Sequence, residues 1–117
     1  MKTKKFNTIA GALLGVIPKD KTYFFVWHSL KKGERIKEHH HNKANEWLIA
    51  DNGGISVTIG HETKQFVPKG KAIVVFLPKK KRHALVALAT TSYMVVRDRD
   101  DRVIYPPHLL SSTAYLS

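Results

Sequence analysis

The sequence predicts an all-β fold, a single domain built as an antiparallel β-barrel or two-sheet jelly roll. Three observations carry this reading. Apolar residues come in clusters of roughly four to eight, separated by Gly, Pro, Asn and Asp, which is the pattern of many short strands joined by tight connections. Stretches with a helical period are nearly absent. The chain has 117 residues, enough for one core that removes about 60–70% of the unfolded chain's surface from water, and no linker, repeat or composition break divides residues 1–117 into more than one unit.

The strands follow in order. Tyr23-Phe24-Phe25-Val26-Trp27 is aromatic and β-branched, and Lys32-Gly33-Glu34 is a turn before an extended Arg35-Ile36-Lys37-Glu38. Glu46 to Ala50 is a strand, and Asp51-Asn52-Gly53-Gly54 has the composition of a hairpin turn leading into Ile55, Val57 and Ile59, which alternate with Ser56, Thr58 and Gly60. A turn near His61-Glu62 precedes a strand from Lys64 to Val67. After Pro68-Lys69-Gly70 comes the continuous apolar strand Ala72 to Leu77, and His83 to Ala89 and Tyr93 to Arg97 complete the set. Eight or so strands at this spacing leave no room for crossover helices. Leu13 to Val16 is expected to add an outer strand, residues 1–17 being a candidate swapped N-terminal strand. Pro106-Pro107 stops regular pairing and makes residues 106–117 a C-terminal arm.

Composition narrows the partners. The absence of cysteine removes disulfides and thiolate ligands, so a metal here must be held by nitrogen and oxygen. Twenty Lys and Arg against nine Asp and Glu leave a net charge of +11, which favours anionic partners. Met1 to Lys5 followed by the apolar Phe6 to Ile17 imitates a secretory signal, but Asn7 and Thr8 interrupt it and Ile17-Pro18-Lys19 offers no small-x-small cleavage site. No apolar run approaches the ~20 residues that cross a bilayer. The expectation is a cytoplasmic protein with no membrane span.

His39 and His41 are two residues apart, so on a strand both imidazoles leave one face while His40 leaves the other. Glu46 follows after the short connection Asn42-Lys43-Ala44-Asn45, long enough to reverse the chain and return a carboxylate to that face. A third ligand is therefore locally available.

Here the chain resembles the cupin family. Its first motif runs Gly, five residues, His-x-His, three or four residues, Glu, six residues, Gly, and Gly33, His39, His41, Glu46 and Gly53 fit every position. Its second motif runs Gly, five residues, Pro-x-Gly, two residues, His, three residues, Asn. Pro78 and His83 match that motif, whereas Ala72, Lys80 and Ala87 stand where the two glycines and the asparagine belong. The resemblance spans residues 33–83 and implies that His83 is the fourth ligand, beside His39, His41 and Glu46. Three imidazoles and one carboxylate suit a divalent Fe, Mn, Ni, Zn, Co or Cu, and a six-coordinate site of this kind keeps open positions for water or substrate.

The remaining candidates are weaker. Lys79-Lys80-Lys81-Arg82 precedes His83 and is either a solvated loop or a source of positive potential that draws a carboxylate or phosphate to the metal. His40, His61 and His108 read as surface residues, and His28 as either a pocket residue or a buried structural one. Trp27, Trp47, Phe25 and Phe76 read as barrel-filling, with Trp47 directed away from Glu46 and packed outside. Specific nucleic-acid binding is not expected, because the aromatics lie in predicted strands rather than among exposed basic residues.

The resemblance implies a metalloenzyme acting on a small anionic organic molecule, dioxygenase-like or sugar-phosphate-isomerase-like. The alternative is a non-catalytic metal-dependent module that binds or senses a small ligand. A homodimer is expected in either case.

Overall fold

A computed structural model describes residues 1–16 and 23–107. Two antiparallel sheets pack face to face as a jelly roll. The larger contains β1 (Thr3–Phe6), β7 (Ala72–Leu77), β4 (Glu46–Ala50), β9 (Thr91–Arg97) and β2 (Phe24–Leu30), in that order across the sheet. The smaller contains β3 (Arg35–His39), β8 (His83–Ala87), β5 (Ile55–Ile59) and β6 (Glu62–Phe66). The inward alternation of Leu48, Val75, Tyr93 and Val95 on one sheet meets Ile55, Val57, Leu85 and Ala87 on the other, forming the main core.

The expected hairpin between Glu46–Ala50 and Ile55–Ile59 does not form. β4 pairs with β7 and β9, whereas β5 pairs with β6 and β8, so Asp51–Gly54 carries the chain from one sheet to the other. The reason is packing: β4 lies mid-sheet with apolar side chains on both faces, and both of its edges are already taken by β7 and β9. The actual two-residue hairpin is Gly60-His61, between Ile59 and Glu62.

The expected outer strand at Leu13 to Val16 is instead the second half of a helix, α1 (Ile9–Val16). The Thr8 hydroxyl accepts the Gly11 N–H at 3.0 Å as an N-cap. Ile9, Ala12, Leu13 and Val16 then fall on one helical face and pack with Ile49, Ala72, Val74, Met94 and Val96 on the outer face of the larger sheet. In this chain the strand at the N-terminus is Thr3–Phe6, paired with β7 of the same chain.

Trp47 faces outward as expected and contacts Tyr23 and Phe76. Phe25 and Trp27 do not fill the interior. They face outward on the sheet-edge strand β2, 51% and 60% exposed. Ile17, Pro18, His108 and the rest of the arm beyond Pro107 lie outside the described residues. No helix among the described residues is long and apolar enough to cross a membrane.

Candidate metal centre

The four candidate ligands meet at one end of the sandwich, each 7% exposed or less. Their ligand atoms all lie within 4.8 Å of one another. His39 ends β3, where a bulge between Ile36 and His39 adds one residue against β8 and re-aims the strand end. His39 and His83 are cross-strand partners with ring centroids 4.4 Å apart. Glu46 opens β4 and reaches the same point from the other sheet. His40 bridges Ile104 in the segment after β9 through its backbone, and its half-buried ring, with Nδ1 buried, corrects the expectation of a surface residue.

Backbone acceptors set the ring orientations. His39 Nδ1 donates to the Lys37 carbonyl at 2.7 Å, and His41 Nδ1 donates to the Arg102 carbonyl at 3.0 Å. Those bonds place the proton on Nδ1 and leave both Nε2 lone pairs bare, the tautomer that a metal ligand needs. The Nε2 atoms of His41 and His83 lie 3.2 Å and 3.3 Å from Glu46 Oε1, close to the spacing of about 3 Å between neighbouring ligands on an ion with 2.0–2.1 Å bonds. His41 Nε2 is buried and makes no hydrogen bond. A bare nitrogen facing a carboxylate oxygen in a dry site is a pair of acceptors that requires a proton or a cation between them. The donor set therefore fits a divalent transition metal.

Electrostatics agree. Burial, reinforced by the neighbouring His83, pushes the His39 imidazole down to about 4, so it is neutral at physiological pH. Burial alone would raise Glu46, but the adjacent His41 and His83 rings and the hydrogen bond from Arg97 overcome it and hold the carboxyl well below the usual range.

Side chains from the far end of β9 hold the loop that delivers Glu46. Asp101 accepts the N–H groups of Lys43 and Ala44, and Asp98 accepts the backbone and side-chain N–H of Asn45. The Lys79–Arg82 loop is exposed and borders the cluster, its Lys80 N–H donating to the His41 carbonyl at 2.6 Å. Lys80, standing at the motif's inner glycine, keeps the left-handed conformation a glycine would supply, with φ of 67°.

Three residues near the site escaped the sequence reading in part or whole. Arg97 lies opposite Glu46 across β4 and β9, and its Nε donates to Glu46 Oε2 at 2.6 Å. Its signal was available: Tyr93, Val95 and Arg97 alternate onto one face, and Arg97 is the only charge on it. Tyr105 reaches the edge of His39 from a segment with no strand pattern, with ring centroids 6.1 Å apart. Tyr93 stacks on half-buried His28 at 5.3 Å, and its own buried hydroxyl has no partner. Burial, with the Glu46 charge, pushes that hydroxyl up from its ordinary value.

No family model matches the sequence, and neither does any curated protein. Among solved structures the fold is that of the cupins. The chain is similar to a cupin-2 domain containing protein from Shewanella frigidimarina, with 15% identity and a TM-score of 0.56 over 72% of this chain and 76% of that one. It is similar to a sugar phosphate isomerase of the cupin superfamily from Silicibacter pomeroyi, with 17% identity and a TM-score of 0.60 over 73% of this chain and 57% of that one. It is also similar to a salicylate 1,2-dioxygenase from Pseudoaminobacter salicylatoxidans, with 21% identity and a TM-score of 0.56 over 66% of this chain and 21% of that one.

Proposed function

We propose that this protein is a divalent-metal-dependent enzyme acting on a small anionic organic molecule, with the metal held by His39, His41, Glu46 and His83. The observation that carries the reading is the buried, unbonded Nε2 of His41 facing Glu46 Oε1, a pairing that a shared cation resolves. When bound, the metal supplies a Lewis acid or an oxygen-activating centre. The chain's own residues bind and orient: Lys37 and Arg102 carbonyls fix the imidazoles, Asp98 and Asp101 fix the approach of Glu46, and the Lys79–Arg82 loop raises the positive potential beside His41. Salicylate and sugar phosphates, the substrates named for two structural neighbours, are both small anions.

Elemental analysis of the untagged protein beside a His39→Ala, His83→Ala variant tests this. One transition metal per chain, lost in a variant that still folds, supports the reading. Absence of metal after reconstitution sinks it. A non-catalytic sensing module is the second reading, favoured by one observation: among the described residues, Glu46 is the only buried carboxylate and it is consumed as a ligand. Ligand binding without turnover across a panel of small organic acids and sugar phosphates would select it.

The proposed homodimer forms through β2, whose outer aromatics Phe25 and Trp27 stand exposed on a strand paired on one side only. Light scattering on the wild type and a Phe25→Ser, Trp27→Ser variant tests it. A dimer in the wild type and a monomer in the variant is the expected result.

A further inference from the structure

We infer that Arg97 is the anion anchor of this site, a residue that both holds Glu46 as a one-oxygen ligand and presents the rest of its guanidinium to an oxyanion group of the substrate beside the metal. The inference rests on the metal reading above and names the residue that recognises the ligand. Glu46 has divided its two oxygens: Oε1 faces His41 and His83, and Oε2 takes the Arg97 Nε–H at 2.6 Å. An oxygen engaged by a charged donor at that distance is withheld from the metal, so the carboxylate contributes one ligand atom and coordination positions stay open.

Arg97 uses only Nε for this. Among the described residues no hydrogen bond or ion pair engages its terminal Nη groups, and the side chain is 20% exposed, so solvent reaches part of it. A guanidinium edge of two parallel N–H groups is matched by the paired oxygens of a carboxylate or phosphate. Charge points the same way. A divalent ion, one carboxylate and one guanidinium, with three neutral imidazoles, leave two positive charges in excess inside a mostly buried site, and such an excess is stabilised by an anionic ligand. The cross-strand pairing of Glu46 with Arg97 fixes the distance between anchor and metal ligand, because β4 and β9 hold both backbones in register.

The experiment uses the cobalt-loaded full chain, with oxalate and inorganic phosphate as anionic probes and imidazole as a neutral one, followed through the visible cobalt bands. In Arg97→Met, the tighter-bound anion is expected to weaken by roughly 30-fold or more, with imidazole changed by no more than about threefold. Arg97→Lys, which keeps the charge without the fork, should fall between the two. Which anion suffers more separates a carboxylate substrate from a phosphate one. Unchanged anion binding, or equal losses for anions and imidazole, would overturn the inference while leaving the metal site standing; failure of the wild type to take up cobalt would overturn both. Should the variants not fold, the Arg97 side-chain nitrogen resonances of the zinc-loaded wild type decide. A shift of the Nη signals on saturation with the anion supports the anchor, and no shift rejects it.

Discussion

Two connections deliver the ligands, and they reach the same point by different means. Residues 39–46 carry three ligands, and the loop within them is tied down by carboxylates of Asp98 and Asp101 borrowed from beyond β9. Residues 77–83 carry one ligand, and that loop is tied mainly by backbone, the Lys80 N–H donating to the His41 carbonyl and the Gly60 N–H to the Arg82 carbonyl, with one side-chain tie where Asn45 Oδ1 accepts the Lys79 N–H. The first matches the cupin pattern at each position; the second departs from it at both glycines and the asparagine. Yet Lys80 adopts a φ of 67° all the same. A loop clamped at both sides by its neighbours imposes a conformation on the residue that occupies it, whereas a side chain at Gly53 of the first motif would meet a physical obstruction.

That difference gives the largest expected effect. A Cβ at Gly53 would stand 2.2 Å from Thr91 Oγ1 and 2.5 Å from the Thr90 carbonyl oxygen, at a φ of 61°. Thr91 Oγ1 cannot swing away, since it bonds both the N–H and the carbonyl of Gly54. Gly53→Ala should cost about 3 kcal/mol or more, combining left-handed strain with overpacking. Gly33→Ala has a similar φ of 86° with nothing within 4 Å and should cost only about 1 kcal/mol. Equal midpoint shifts for the two in urea would show that conformation alone matters.

Acid should undo both connections at their meeting point. Burial and the neighbouring His83 push His39 down to about 4 in the fold from its ordinary value of 6.5, so between those values the unfolded chain holds the extra proton and stability falls as the pH falls. The loss for the metal-free protein is up to about 3 kcal/mol from pH 6.5 to 4. Glu46, held below the ordinary carboxylate range, contributes stability above about pH 4.5 that is likewise lost toward acid. Urea titrations at pH 7, 5.5 and 4.5 measure the slope, and a flat profile would contradict the neutral, buried His39.

Asp101→Ala removes the acceptor of two loop N–H groups, one on buried Ala44. It should cost about 1–2 kcal/mol and, through the loosened approach of Glu46, roughly tenfold in metal affinity. A stability loss without a change in affinity would mean that the loop is held well enough without it. The smallest effect runs the other way. Lys80→Gly restores the motif's glycine and should stabilise the protein by about 0.5–1 kcal/mol, the relief of left-handed strain less the entropy glycine loses on folding. A destabilised variant would mean that the lysine side chain, not the loop's clamps, holds that turn.

Legibility followed the range of each interaction. β4 and β7 were read with their observed bounds, since their apolar runs lie between clear turn residues. The hairpin at Asp51–Gly54 was misread because a short polar turn looks the same whether the chain returns beside itself or crosses to another sheet; competition for the edges of β4 settles which. Helix α1 was missed although Thr8 and the Ile9, Ala12, Leu13, Val16 spacing signalled it locally, the stretch being short and its face covered only by a sheet assembled from distant strands.

The sequence alone determined the all-β class and the local pair His39 and His41 with Glu46, because strand alternation and a short reversal are consequences of covalent geometry. Resemblance added His83. Tertiary structure decided that β3 and β8 bring His83 against His39, that the Arg102 carbonyl fixes the His41 ring, and that Arg97 takes the second oxygen of Glu46. Each of those contacts joins residues more than forty positions apart, and only the pairing of the sheets sets the distance between them.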